Sequence, residues 1–196
     1  MAVEVWWSSL TAASHDLLDM LDATERARVE SLSRPADRGR SMLGAALLRV
    51  AVAAHLGGLP ADVVVDRTCA DCGGPHGAPR VRHPGAPGPW VSVSHSGLLV
   101  VVALSAQGPV GVDVQRLSDL TDPAAGGEWV RREAMLKART TAPDWERPGA
   151  RPATVGADGN VQELRPPLDG YAAALVALAE ADAELVVRHW PRPIGA

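Results

Sequence analysis

The alternation of apolar and polar positions along the chain predicts both strands and helices. Residues 3–7 form a short run of Val and Trp that favours an opening strand. Apolar residues at helical spacing between positions 17 and 32 predict two helical stretches, the second with Thr24 as its N-cap. Pro35 begins a longer amphipathic pattern that stops at Gly57, which predicts the longest helix of the chain.

The middle of the chain predicts three consecutive strands in an antiparallel meander. They cover residues 90–94, 98–105 and 109–115, and turns that contain glycine separate them. A helix is predicted over residues 128–139, whereas residues 140–160 are rich in proline and predicted to form a loop.

The C-terminal part has one ambiguous segment. Residues 171–179 fit either a helix or a buried strand, and residues 185–190 favour a strand. Together with the preceding elements, this pattern predicts an α+β fold with two halves that meet near residue 105.

Composition places the chain among ordered globular proteins. Its 196 residues, 46% hydrophobic and 21% charged, are sufficient for one or two domains with an apolar core. The longest strongly apolar run, residues 98–106, is too short to span a bilayer. The first 20 residues also lack the basic start of a signal peptide. We therefore expect a cytoplasmic protein with no membrane partner.

Charge is unevenly distributed along the chain. A net charge of −4 argues against nucleic acid as a partner. Residues 24–50 nevertheless carry six arginines against three acidic residues, which suits a small anionic ligand. A solvated helix face is an equally good interpretation of this run. Among the 19 basic residues, Lys137 is the single lysine.

The sequence Ser-His-Ser-Gly at residues 94–97 stands where a predicted strand ends in a turn. Its hydroxyls, imidazole and free backbone amides can donate hydrogen bonds to a phosphate oxygen. Ser94 and His95 are neighbours on a strand and therefore point to opposite faces, which argues against a direct pair. A polar strand end with a surface histidine is the alternative interpretation.

Candidate ligands for a divalent cation lie on the strand and the helix that follow. Asp113 and Gln115 are two residues apart, so they share one strand face, and their oxygens suit Mg²⁺. Trp129, Glu133 and Lys137 share one face of the predicted helix, where Glu133 could bind metal or act as a base and Lys137 could hold a phosphate. An amphipathic edge strand and an ordinary Glu–Lys helix pair are the alternatives.

Two cysteines and two histidines raise the question of a zinc site. Cys69 and Cys72 have the Cys-x-x-Cys spacing, and His76 and His83 follow them. A structural disulfide is not expected in a cytoplasmic protein. The alternative is a Gly-rich turn that needs no metal.

The order of these motifs resembles the 4′-phosphopantetheinyl transferases of the Sfp type. From about residue 22 to residue 138 the chain contains a basic helix, Cys-Gly-Gly-Pro-His-Gly-Ala-Pro, Ser-Val-Ser-His-Ser-Gly, Gly-Val-Asp-Val-Gln and Trp-x-x-Arg-Glu-Ala-x-x-Lys-Ala. The resemblance implies a monomer with two similar α+β halves related by pseudo-twofold symmetry. These halves would be residues 1–105 and 106–196, the second trimmed, with coenzyme A bound between them.

The resemblance also implies an activity and the residues that perform it. The enzyme would move the 4′-phosphopantetheine group of coenzyme A to a serine of an acyl or peptidyl carrier protein, with Mg²⁺ as cofactor. The catalytic residues implied are Asp113, Glu133 and Lys137, and the metal ligands are Asp113, Gln115 and Glu133. The implied contacts to coenzyme A are Arg28, Arg40, Gly77, Pro79, Ser94, His95 and Lys137.

Three departures from the family pattern motivate an alternative function. Gln115 stands where Glu is common, Ala78 stands where a basic residue is common, and only 13 residues separate Gln115 from Trp129. The alternative is a non-catalytic interaction protein. It would bind coenzyme A in the same cleft, or zinc through the two cysteines and two histidines.

Overall fold

The computed structural model describes residues 2–83, 86–141, 160–179 and 184–191. It confirms the predicted α+β class. The helices are α1 (Ala23–Ser31), α2 (Pro35–Leu56) and α3 (Gly126–Thr141). The strands are β1 (Ala2–Ser9), β2 (Val64–Asp66), β3 (Arg80–His83), β4 (Ala86–Pro87), β5 (Trp90–Ser96), β6 (Leu99–Ser105), β7 (Val110–Arg116), β8 (Asn160–Leu164), β9 (Tyr171–Ala177) and β10 (Glu184–His189).

The fold has four layers: helix α2, a first sheet, a second sheet and helix α3. The first sheet has the order β10-β1-β6-β5, and the second has the order β7-β9-β8. Helix α2 packs on one face of the first sheet, whose other face packs on the second sheet. Helix α3 covers the remaining face of the second sheet. Strand β6 is buried along its whole length because layers cover both of its faces.

Strands β2, β3 and β4 form a third, small sheet, and Val81 of β3 packs into the core beneath α2. Strands β2 and β3 pair antiparallel, and residues 67–79 form the long loop between them. This loop contains both cysteines of the chain.

The structure confirms the long helix and most predicted strands, and the reasons are local. Helix α2 begins at Pro35 and ends where Gly57 adopts a left-handed conformation with φ 76°. The ambiguous C-terminal segment is strand β9, and residues 184–189 also form a strand. Within the described part of the chain, no helix is both long and apolar enough to cross a membrane.

The predicted meander is confirmed for β5 and β6, which pair antiparallel, and wrong for β7. Strand β7 pairs with β9 rather than with β6, because β1 and β5 already occupy both hydrogen-bonding edges of β6. The predicted N-cap Thr24 is also wrong. Asp22 caps α1 instead: its side chain accepts from the Glu25 amide, and the Asp22 amide donates to the Glu25 carboxylate.

Parts of the other predictions remain open. Of the predicted loop, residues 142–159 lie outside the described residues, while Thr140 and Thr141 belong to the last turn of α3. The boundary between residues 105 and 106, the pseudo-twofold symmetry and the trimmed second half stay predictions. Strand β10 lies in the first sheet, parallel to β1, so strands from both proposed halves share that sheet.

Candidate functional site

Basic side chains from separate elements line one cavity of about 150 Å³. Helix α1 contributes Arg28, α2 contributes Arg40, β5 contributes His95, and the loop after β2 contributes Arg67. The sequence predicted the first three as ligands of an anion, and the structure brings them together. Arg67 was missed because it stands in a Gly- and Pro-rich segment that has no periodic pattern.

Arg40 is held against the Ser-His-Ser-Gly turn. Its Nη1 donates to the carbonyl oxygen of Gly97 at 2.9 Å, and its Nη2 pairs with Asp37 at 2.5 Å, one helical turn before it. Gly97 has φ 54°, a conformation that a residue with Cβ rarely adopts. Glycine therefore allows this backbone conformation, and the carbonyl oxygen of Gly97 orients the Arg40 guanidinium.

Desolvation and neighbouring cations both lower the pKa of His95. Its side chain retains contact with solvent, yet the surrounding protein removes part of its hydration, and this desolvation is the main reason that its pKa is lowered from the usual value. The positive charges of Arg40, Lys137 and Arg28 lower the pKa of His95 further.

Glu25 provides an acidic counterpart on the cavity wall. Its side chain is only 5% exposed, and its Oε2 accepts a hydrogen bond from Arg49 at 2.8 Å. Its Oε1 is buried and has no hydrogen-bond partner among the described residues. Burial is also the main reason that the pKa of Arg67 is lowered, while the charge of Glu25 raises it. The cavity is therefore basic overall but contains one carboxylate.

A second cavity of about 630 Å³ adjoins the first. Arg40 and His95 line both cavities, and the larger one reaches Gln115 and Arg116 at the end of β7. Gln115 is half-buried, and its Nε2 donates to the carbonyl oxygen of Arg116 at 3.0 Å. The two cavities together offer an elongated surface from α1 to the end of β7.

Strand β7 and helix α3 pack unusually close together. A Cβ atom at Gly111 would overlap the backbone of Ala134 and Ala138, so only glycine permits this packing. Gly111, Asp113 and Gln115 alternate along β7 and share the face that α3 covers, whereas the valines between them face the opposite core. The helix therefore lies directly over the predicted cation ligands.

Asp113 is the centre of the hydrogen bonds in this region. It is 6% exposed, and its Oδ1 accepts from Lys137 Nζ at 2.6 Å and from Ser94 Oγ at 2.7 Å. Lys137 Nζ also donates to the Val112 carbonyl oxygen at 3.1 Å. The single lysine of the chain thus forms an ion pair with a predicted metal ligand, which the sequence did not reveal.

Glu133 stands on the stretch of α3 that accompanies Asp113. Near its C-terminal end α3 contacts β7 at Gly111, and at its N-terminal Gly126 it contacts Leu117, so helix and strand run antiparallel. Glu133 lies between these two contact points on the helix, as Asp113 does on the strand, and it is half-buried. Glu133 therefore belongs to the part of α3 that runs alongside β7.

Three predicted contacts to coenzyme A lie away from the basic cavity. Ser94 is buried on the strand face opposite His95 and uses its hydroxyl within the protein, at Asp113. Gly77 lies in the loop after β2, and its amide donates to the Arg67 carbonyl oxygen at 2.7 Å. Pro79 lines a small separate cavity beside Trp90. Their roles as coenzyme A contacts stay predictions.

Three of the four candidate zinc ligands come together in the same loop. The ligand atoms of Cys69, Cys72 and His76 all lie within 4.8 Å of one another. The pKa of Cys69 is lowered because the backbone amides of Cys72 and Asp71 donate hydrogen bonds to its sulfur. The side chain of His83 lies outside the described residues.

Comparison with known proteins gives one partial similarity. No protein-family model matches the chain. The chain is similar to a Synechocystis sp. protein named "Putative 4′-phosphopantetheinyl transferase", with 33% identity over 96 residues. These residues are 49% of this chain and 37% of the other protein, so the chain spans well under half of the relative's length. The match supports a relationship to the 4′-phosphopantetheinyl transferases, whereas the Sfp type inferred from the motifs stays a prediction.

Proposed function

We propose that the chain transfers the 4′-phosphopantetheine group of coenzyme A to a serine of an acyl or peptidyl carrier protein, with Mg²⁺ as cofactor. One observation carries the proposal: Arg28, Arg40 and His95 line one cavity. Ser94, the neighbour of His95 on β5, bonds to Asp113, which pairs with Lys137. This arrangement combines a polyphosphate site with candidate ligands for a divalent cation. The partial similarity to a phosphopantetheinyl transferase supports the same reaction.

The basic cavity is the proposed site for the phosphates of coenzyme A. Arg28, Arg40 and Arg67 offer guanidinium groups, which bind phosphate oxygens in short charge-assisted hydrogen bonds. His95 stands where the smaller and larger cavities meet and can donate once it is protonated. The larger cavity then provides room for the rest of an elongated ligand.

The donor set on β7 and α3 fits Mg²⁺. Asp113, Gln115 and Glu133 provide oxygen atoms, which this ion prefers, and water and substrate phosphate complete its usual shell. Both described hydrogen bonds to the Asp113 carboxylate involve Oδ1, so Oδ2 can serve as a ligand. A bound Mg²⁺ would offset negative charge on the pyrophosphate of coenzyme A.

The proposed reaction assigns separate tasks to Glu133 and Lys137. The carrier serine oxygen attacks the β-phosphorus of coenzyme A, and its proton passes to the Glu133 carboxylate. A new P–O bond forms to the serine, the bond from that phosphorus to the bridging oxygen breaks, and adenosine 3′,5′-bisphosphate leaves. Lys137, whose Nζ donates to Asp113 and to the Val112 carbonyl oxygen, would supply an ammonium group that stabilises charge on the phosphate oxygens.

An assay with apo carrier protein, coenzyme A and Mg²⁺ tests the proposal. Intact-protein mass spectrometry should find that the carrier gains one phosphopantetheine group. Glu133→Gln should abolish the gain, whereas Glu128→Gln, an exposed change on the same helix, should leave it unchanged. If several carriers gain no mass although the chain is folded, the proposal is refuted.

A non-catalytic coenzyme A-binding protein is the second candidate. It is favoured by Oδ1 of Asp113, which already accepts from Lys137 and Ser94, and by Gln115, which carries no charge and bonds to its own strand. Isothermal titration calorimetry with coenzyme A, combined with the transfer assay, separates the two functions. Binding of coenzyme A without any transfer to a carrier would support the second candidate.

A further inference from the structure

The loop that joins β2 to β3 brings two thiols and an imidazole to one point on the surface. Cys69, Cys72 and His76 have their ligand atoms within 4.8 Å of one another, and Cys72 Sγ lies 2.9 Å from His76 Nε2. Both Cys72 and His76 are exposed, so a metal ion can reach them from solvent. The proposed transfer reaction makes no use of these three side chains.

The distances suit a small tetrahedral metal ion. Zinc binds sulfur at about 2.3 Å and imidazole nitrogen at about 2.0 Å, so two such ligands stand about 3.5–3.8 Å apart. The separations in the loop lie on both sides of this value, from 2.9 Å to at most 4.8 Å. Side-chain shifts of about 1 Å or less, within the freedom of exposed rotamers, would therefore complete the geometry.

Backbone hydrogen bonds hold the tip of the loop in a compact turn. The Cys69 amide donates to the Gly74 carbonyl oxygen at 2.8 Å, and the Gly73 amide donates to the Cys69 carbonyl oxygen at 2.9 Å. Gly73 has φ 70°, so the turn needs a glycine there.

We propose that this loop binds one Zn²⁺ ion through Cys69, Cys72 and His76. Two thiolates and an imidazole form a soft ligand set that selects zinc over the Mg²⁺ of the proposed reaction. Binding involves no redox change: each thiol that coordinates releases its proton to solvent, and the neutral imidazole donates its lone pair.

The zinc site would act on the basic cavity through the protein backbone. The Gly77 amide, one residue after His76, donates to the Arg67 carbonyl oxygen at 2.7 Å, and Arg67 lines the cavity. A Cβ at Gly77 would approach the Thr68 carbonyl oxygen to 2.7 Å, so the two arms of the loop are already in close contact. A metal ion that ties the arms together would therefore fix the position of Arg67.

Metal analysis tests the proposal without any assay of transfer, so its outcome is independent of the proposed function. The purified full chain is incubated with Zn²⁺ in reducing buffer, dialysed, and analysed for zinc per chain. We expect one zinc per chain in the parent and in the control Ala70→Ser, an exposed change within the same loop. Cys72→Ser should lower zinc affinity by about 100-fold or more, beyond the usual effect of losing a supporting partner of a ligand.

Cobalt substitution identifies the ligands. Co²⁺ bound to this loop should give thiolate-to-metal absorption and the visible bands of a tetrahedral site, and both should be absent in Cys72→Ser. Because the loop tip is exposed, the variant should keep the circular dichroism spectrum of the parent. If the parent binds no more zinc than Cys72→Ser while both of its thiols are reduced, the proposal is overturned.

Discussion

Replacing Gly111 with alanine should separate α3 from β7. The added Cβ would stand 2.5 Å from the Ala138 amide nitrogen and would overlap the Ala134 carbonyl oxygen, both of them backbone atoms. Backbone cannot rotate away as a side chain can, so the whole helix must move outward. Inserting a methyl group into a packed core costs about 1–3 kcal/mol, and backbone on both sides favours the upper end, about 3 kcal/mol.

The expected change is large enough for simple thermal unfolding. For a chain of this size, about 3 kcal/mol lowers Tm by about 6–12 °C. Gly127→Ala is the matched control, because this position lies in the first turn of α3 and a Cβ there meets nothing within 4 Å. The control should stabilise the protein by about 0.5–1 kcal/mol, since alanine restricts the unfolded chain and favours the helix.

The same displacement should reach the candidate site. The bond between Lys137 Nζ and Asp113 Oδ1 spans 2.6 Å across the contact between α3 and β7, so an outward shift of the helix breaks it. Gly111→Ala should therefore lose transfer activity even at temperatures where it remains folded, while Gly127→Ala keeps it. If Gly111→Ala unfolds within about 0.5 kcal/mol of the parent, the close packing described here is refuted.

Three other substitutions test separate parts of the structure. Phosphate binding favours the protonated imidazole of His95, whose pKa is lowered in the free protein, so coenzyme A affinity should rise as pH falls below about 6.5. Calorimetry should show that His95→Gln removes this part of the pH dependence; an unchanged slope would contradict it. Arg49→Met should lower the free energy of unfolding by about 3–5 kcal/mol, because Arg49 is 2% exposed and the variant leaves the Glu25 carboxylate buried without its partner. Urea denaturation measures this cost, and a loss under 1 kcal/mol would contradict it. Lys137→Arg should slow transfer about 10-fold or more while changing stability by less than about 1 kcal/mol, since the planar guanidinium cannot reproduce the ammonium contacts. Single-turnover kinetics decide this, and transfer at the parent rate would show that the lysine is not required.

Local sequence patterns predicted which helices and strands form, but they did not predict which strands pair with one another. Helix α2 was predictable because proline, an apolar stripe and a terminal glycine are all local signals. The pairing of β7 was not, because it depends on β9, about sixty residues further along the chain, and on the occupied edges of β6. The parallel pairing of β10 with β1 joins residues still further apart in the sequence, and no short sequence pattern predicts it.

The residues of the candidate site also fall into two groups, those that the sequence predicted and those that it did not. Arg28, Arg40 and His95 were identified from motif order, and the folded chain does bring them to one cavity. Strand alternation correctly separated Ser94 from His95, yet it could not predict that the Ser94 hydroxyl donates to Asp113. Arg67 carried no local signal, since its place in the cavity depends on how its loop folds back at Gly77.

The pairing of β10 with β1 also fixes when the first sheet can be completed during synthesis. Until residues 184–189 have left the ribosome, β1 presents its outer edge unpaired, with open amides and carbonyls along Ala2–Trp7. Until β10 is made, the nascent chain therefore exposes an unpaired strand edge, which invites pairing with other nascent chains. Strand β10 then covers this edge of β1 and becomes the outer strand of the sheet, so protection of β1 depends on how quickly β10 docks.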